Sequence, residues 1–161
     1  MTQNGFWHQH SLINLKKIKN RIKKNEGYIN TPYYDQLGYR TIGYGHLIKK
    51  NEDFLEKKKY SEKYLGEIFE NDFNKTIYDF KKNYANKGFK KNVQEVLIEM
   101  IFQLGINKTT KFKKFNKYLI EKKPHLAAME MLNSLWYLQT PKRVELLINI
   151  LLNHKNDKRK K

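Results

Sequence analysis

The stretch that decides the fold is Glu26-Gly27-Tyr28-Ile29-Asn30-Thr31-Pro32-Tyr33-Tyr34-Asp35-Gln36-Leu37-Gly38-Tyr39-Arg40-Thr41-Ile42-Gly43-Tyr44-Gly45-His46. Pro32, Gly38, Gly43 and Gly45 punctuate a run rich in Tyr, Thr and Ile. That is the chemistry of short strands and turns, and it predicts a small antiparallel sheet broken at Gln36-Leu37-Gly38. Glu26 and Asp35 lie nine residues apart. On one continuous helix that spacing, about two and a half turns, would put them on opposite faces. They meet only if the chain folds back between them, and Pro32 and the glycines argue that it does. Glu26 would then stand at a helix end, facing the sheet that presents Asp35 and Thr41.

The flanks have a different texture. Before the stretch, Leu12, Leu15, Ile18 and Ile22 recur at helical spacing, with Lys16, Lys17, Lys19, Lys23 and Lys24 elsewhere on the wheel. This predicts an amphipathic helix over 12–25, its apolar stripe in the core and its basic face in solvent. After the stretch, 51–59 reads as a charged connector. Ser61 is a candidate N-cap with Glu62 just inside it, and Leu65, Ile68, Phe69, Phe73, Ile77 and Phe80 make a helical stripe. A helix over 61–82 could bridge two lobes. Asn92-x-x-Glu95 has the capping-box pattern and opens 93–104, apolar on most sides and ended by Gly105. Shorter helices are expected over 112–120 and 126–135. Thr140-Pro141 opens a last helix to about Asn153. The fold class is α+β: a small lobe with an antiparallel sheet (12–60), a long connecting helix (61–82) and a larger all-helical lobe (83–154). Residues 1–11 form a polar arm carrying Phe6 and Trp7, and 155–161 a basic tail.

Composition narrows the function. The chain has 161 residues, enough for one domain in two lobes. It contains no cysteine, which excludes disulfides, Cys-ligated metal and thiol catalysis. No run of 18 apolar residues exists to span a membrane. Residues 1–10 lack the basic start and apolar core of a secretory signal, so synthesis in the cytoplasm without a signal peptide is expected. The formal charge is +17. It reads either as attraction to a polyanion or as a compositional bias toward Lys, since only Arg21, Arg40, Arg143 and Arg159 are arginine. Base-edge readers favour Arg, so no specific nucleic acid is expected. His8 and His10 lack carboxylate partners nearby, and no metal or cofactor is expected.

Paired carboxylates in unequal environments are what glycosidic hydrolysis needs: one protonated to serve the leaving oxygen, one ionised to attack or to activate water. Thr41 adds a hydroxyl that could orient a water. At this point the residues resemble a known family. Glu26-x8-Asp35-x5-Thr41 followed by Ile42-Gly43-x-Gly45-His46 resembles the active-site segment of the T-even-type phage lysozymes, muramidases of the endolysin class. Three further blocks follow in the family's order. They are Ile68-Phe69-Glu70-Asn71-Asp72, Met100-Ile101-Phe102-Gln103-Leu104-Gly105, and Trp136-Tyr137-Leu138-Gln139-Thr140-Pro141-Lys142-Arg143.

The resemblance implies a lysozyme-like fold and an inverting hydrolase. The bond cut would be the β-1,4 link between N-acetylmuramic acid and N-acetylglucosamine in bacterial peptidoglycan. Glu26 would be the general acid, Asp35 the carboxylate that activates water, and Thr41 the hydroxyl that holds it. Leu47, Phe102 and Gln103 match substrate-binding positions. His46 and Asp72 match a structural pair, and Trp136 reads as core. Arg143 matches an arginine that pairs with the acid. A nearby cation favours the ionised carboxylate, so burial or substrate binding must offset it. Phe115 and Glu130 stand at two cleft positions that are polar and uncharged in the best-known member. Asn25 and Leu146 stand where that member has an ion pair. The resemblance further implies a monomer that acts at the cell wall or periplasm in phage lysis. With no signal of its own, it would be released by a holin-like membrane-permeabilising partner. Two rivals of other classes remain: a non-catalytic wall or nucleic-acid binder on the same scaffold, and a cationic membrane-active protein. If the +17 charge is used, retention on purified wall should fall steeply between about 50 mM and 500 mM salt, as the Debye length shrinks. Pelleting the wall at each salt concentration reads it.

Overall fold

The structure, a computed structural model, describes residues 13–152. The expected arm at 1–11, Leu12 and the basic tail at 155–161 lie outside the described residues. Among the described residues two units can be distinguished, residues 16–77 and residues 78–152 together with 13–15.

The first unit opens with helix α1, Leu15–Glu26, whose Ile18 and Ile22 are completely buried. Its end falls one residue later than the periodicity suggested, because Gly27 N–H donates to Lys23 O at 3.0 Å and closes the last turn there. Three antiparallel strands follow in the order β1-β2-β3: β1 Ile29–Tyr34, β2 Arg40–Gly43 and β3 His46–Leu47. Tyr33 pairs with Thr41 and Ile42 with His46. The β1 ladder is irregular between Ile29 and Tyr33, where Pro32 lacks a donor. Proline is tolerated here because β1 is the edge of the sheet. Below the sheet Ile42, Phe54 and Leu65 form the core, flanked by Ile48, Tyr60 and Ile68.

Helix α2, Glu62–Tyr84, is capped by Ser61, whose Oγ accepts from Tyr64 N–H at 3.2 Å. It is one unbroken helix that starts in the first unit and ends in the second.

The second unit is all helical after a short 3-10 turn, Ala85–Lys87. Its central helix α3, Lys91–Leu104, buries Val96, Leu97, Ile98, Met100 and Ile101. The capping box expected at Asn92 does not form, since Lys90 is the N-cap residue and carries no side-chain cap bond. Asn92 instead donates Nδ2–H to Leu151 O at 2.8 Å, fastening α3 to the last helix, while Glu95 is buried. A tertiary partner outcompeted the local one. Helix α4, Ile106–Lys111, was not foreseen in the sequence. Helices α5 (Lys113–Ile120) and α6 (Pro124–Leu132) follow. The single helix expected over 126–135 is corrected: it stops at Leu132, and Ser134 caps a new one, α7 (Leu135–Gln139), by accepting from Tyr137 N–H. Helix α8, Pro141–Leu152, begins with proline in its first turn as expected.

In the first unit a partly buried ion cluster ties the sheet to α2. His46 on β3 meets Asp72 through Nδ1 at 2.7 Å and Glu52 through Nε2 at 3.1 Å. Burial disfavours the imidazolium, but the bonds and charges of Asp72 and Glu52 outweigh it, so the His46 pKa lies above its ordinary 6.5. Glu52 is also penalised by burial, yet the Lys49 N–H and His46 hold it below its ordinary 4.5. A raised imidazole stabilises fully below about 6.5 and loses that contribution as pH rises through its folded value. A lowered carboxyl stabilises above about 4.5 and loses its contribution as pH falls through its folded value. The cluster therefore contributes most between those two limits. His46→Gln should lower Tm by about 2–4 °C at pH 5.5, the shift that roughly 1 kcal/mol produces at this size. The gap should narrow by pH 9; thermal melts of both proteins at the two pH values check it.

Candidate active site

Glu26 is the last residue of α1, and its carboxylate reaches the turn between β2 and β3. A Cβ built on Gly45 would lie 2.7 Å from Glu26 Oε2 and 3.1 Å from its Cδ. That turn is anchored by Tyr44. The Tyr44 ring packs on Tyr28 at 4.9 Å and edge-on to Phe69 at 5.5 Å. Lys23 Nζ lies 4.9 Å from the Tyr44 ring and 4.8 Å from that of Phe69. So the last turn of α1 and the β2–β3 turn are fastened to each other at the point where Glu26 emerges.

Asp35 opens the turn between β1 and β2 and organises it. Its Oδ1 accepts from Leu37 N–H at 2.9 Å and from Tyr39 N–H at 2.8 Å. Both bonds fall on the same oxygen, so Oδ2 keeps its accepting capacity. Thr41, on β2, is buried, and its hydroxyl donates to Tyr39 O at 2.9 Å. With the proton so committed, the Thr41 oxygen can only accept from a further partner.

Tyr33 joins the three groups. It faces Thr41 across the β1–β2 ladder and lies two residues before Asp35. Its phenol is held above the ordinary 10.0, by burial first, then by the negative charges of Glu26 and Asp35. Both carboxylates are thus near enough to act on one hydroxyl. Sequence reasoning passed over Tyr33. No local signal marks it, because its place opposite Thr41 is set by the β1–β2 register.

The other sequence candidates are placed as follows. Leu47 ends β3 and is exposed. Phe102 and Gln103, on α3 in the other unit, are half-buried. Gln103 Oε1 accepts from Trp136 Nε1–H at 2.8 Å and its Nε2–H donates to Thr140 Oγ1 at 3.2 Å. That holds the amide in one orientation. Trp136 is buried in α7, and Arg143 is buried in α8 with only 8% of its surface exposed. Phe115 is corrected as a cleft position. It is fully buried and packs edge-on to Phe112 at 5.9 Å, so it offers no surface to a ligand. Glu130 is half-buried on α6. A pocket of about 490 Å³ opens in the helical unit near Phe89, Leu119 and Leu151. None of the described residues that line it is a carboxylate.

A helix-end glutamate, a turn aspartate and a strand threonine thus belong to one unit, with Thr41 paired to Tyr33 and both carboxylates acting on that tyrosine's charge. The phage lysozyme profile matches residues 23–150, most of the chain and all of this site. The chain belongs to the phage lysozyme family. It is a lysozyme-like glycosidase. It is 32% identical over 159 residues to probable T4-type lysozyme 2 of Dictyostelium discoideum, covering 84% of this chain and 94% of that protein. It is 30% identical to probable T4-type lysozyme 1 of the same organism, with 85% and 94% covered. It also resembles the pre-baseplate central spike protein Gp5 of Enterobacteria phage T4, 27% identical over 154 residues, but only 27% of that longer protein is covered.

Two substitutions separate the turn-holding role of Asp35 from the chemical role expected of it. Asp35→Asn keeps an oxygen for Leu37 N–H and Tyr39 N–H while removing the charge, so it should fold with a near-normal Tm yet hydrolyse wall at least about 10-fold more slowly. Asp35→Ala loses both turn bonds and should cost a further ~1–2 kcal/mol of stability. Urea unfolding beside turbidity clearing distinguishes the two.

Proposed function

We propose that the chain is an inverting muramidase, cutting the β-1,4 bond between N-acetylmuramic acid and N-acetylglucosamine of bacterial peptidoglycan. The observation that carries this reading is that one unit of a phage lysozyme family chain presents Glu26 at a helix end against the β2–β3 turn, Asp35 in the β1–β2 turn and Thr41 on β2. In the proposed reaction Glu26, protonated, gives its proton to the glycosidic oxygen as the bond to the anomeric carbon breaks. A water on the opposite face directs its protons to Asp35 Oδ2 and the Thr41 oxygen. Its own lone pair is then aimed at the anomeric carbon, where charge develops. Asp35 takes up one proton as the new C–O bond forms. The product is a reducing sugar of inverted configuration. Inversion requires the two carboxyl groups to leave room for that water, roughly 6.5–9.5 Å.

Leu47, Phe102 and Gln103 are proposed to contact the glycan, and Arg143 to serve as a structural residue. No cofactor enters the chemistry. The biological setting proposed is lysis by a monomeric endolysin at the cell wall. No helix among the described residues is long and apolar enough to cross a membrane. A separate membrane-permeabilising partner is proposed to give the enzyme access to the wall.

Wild type and Glu26→Gln should be incubated with purified peptidoglycan and the released ends read by mass. Reducing muramic acid ends from wild type, with a loss of at least about 1,000-fold in Glu26→Gln and wall binding retained, is the expected result. Anhydro-muramic ends would remove water, and with it the role of Asp35 and Thr41. Near-normal clearing by Glu26→Gln would remove Glu26 from the mechanism.

A further inference from the structure

We infer that Gly45 is a positioning residue for Glu26: its missing side chain is the space in which the Glu26 carboxylate sits. The inference rests on the reading of Glu26 as the general acid.

The distances make the case. A Cβ on Gly45 would stand 2.7 Å from Glu26 Oε2, 3.1 Å from Cδ and 3.5 Å from Cγ. Non-bonded carbon and oxygen do not approach to 2.7 Å, so something must yield. The β2–β3 turn is held by Tyr44 among Tyr28, Phe69 and Lys23. The carboxylate is the far end of a flexible side chain and the turn is backbone, so the carboxylate is the part that is displaced. A displacement of about 1 Å at a reacting group can cost about 100-fold in rate.

Gly43 supplies the control within the same turn. Gly43 has φ +66° and Gly45 φ +77°, a region side chains rarely adopt, so alanine strains the backbone at either position. A Cβ on Gly43, however, meets only the Leu65 side chain, with Cβ at 3.5 Å, Cδ2 at 3.6 Å and Cγ at 3.8 Å, ordinary contacts. The two glycines share the conformational demand, and only one of them abuts the acid.

The test is a set of variants assayed on a soluble peptidoglycan fragment, with rates expressed per folded molecule. Gly43→Ala and Gly45→Ala should lower Tm by similar amounts. Gly45→Ala alone should lower kcat by about 10- to 100-fold, with KM nearly unchanged. Glu26→Asp shortens the acid by one methylene and draws it back from the turn. Adding Gly45→Ala to Glu26→Asp should therefore cost less than about 3-fold beyond Glu26→Asp itself. If Gly45→Ala does not fold, Gly45→Asn carries the same Cβ on a residue that tolerates positive φ, with Gly43→Asn as its partner. Equal kcat losses at the two glycines, or an undiminished Gly45→Ala loss on Glu26→Asp, would overturn the inference while Glu26 stayed the acid. Near-normal turnover by Glu26→Gln would instead overturn the underlying reading.

Discussion

The Lys23 ammonium, held between the rings of Tyr44 and Phe69, is the contact on which the site depends. Tyr44 belongs to the β2–β3 turn, Phe69 to α2 and Lys23 to α1, so one cation joins three elements that are apart in the chain. A cation over a ring contributes about 0.5–1 kcal/mol at a partly exposed site. Its geometric effect is larger than that figure suggests. Glu26 follows Lys23 by three residues, so it shares a face of α1 with it. Where Lys23 is held, Glu26 is delivered to Gly45. One turn earlier Lys19 repeats the device, bonded to Glu70 at 2.5 Å with its ammonium 5.1 Å from the Phe73 ring.

This changes the meaning of the basic surface. Read as a wheel, α1 has an apolar stripe and a solvated ring of lysines. In the folded chain Lys19 and Lys23 are structural, their stems lying along aromatic surface while their heads meet rings and a carboxylate. Acidic residues are also committed to the frame. Glu52 and Asp72 hold His46, and Glu56 holds Arg40 at 2.7 Å. Some of the lysines behind the +17 charge therefore serve the fold.

The proposed catalytic groups show the same economy. Asp35 gives one oxygen to the turn it opens and keeps the other. Thr41 gives its proton to Tyr39 O and keeps its lone pairs. Each group is oriented by the bond it makes to the backbone, which pre-positions the atom left over. Unit and site are for this reason hard to separate by mutation, and substitutions that preserve one atom and change another are the informative ones.

The elements with local causes were legible in the sequence. Apolar periodicity marked α1 and α2, Ser61 capped as its type and place suggested, and the glycines and Pro32 marked the sheet. The carboxylate pair and Thr41 stood out by residue type and spacing, and the four ordered blocks identified the family. What stayed hidden depended on partners distant in sequence. Asn92 left its expected cap for Leu151 O on the last helix. Glu52 joined His46 from a connector without pattern, and Tyr33 looked like any strand tyrosine. The break at Ser134 turned on a single hydroxyl bond inside an apolar run. Local patterning sets which segments can be helix, strand or turn, because those preferences act within a few residues. Which side chain meets which is settled only by packing. Gly45 makes the difference plain: the sequence marks it as a turn residue, and only the folded chain sets its bare Cα against the carboxylate of Glu26.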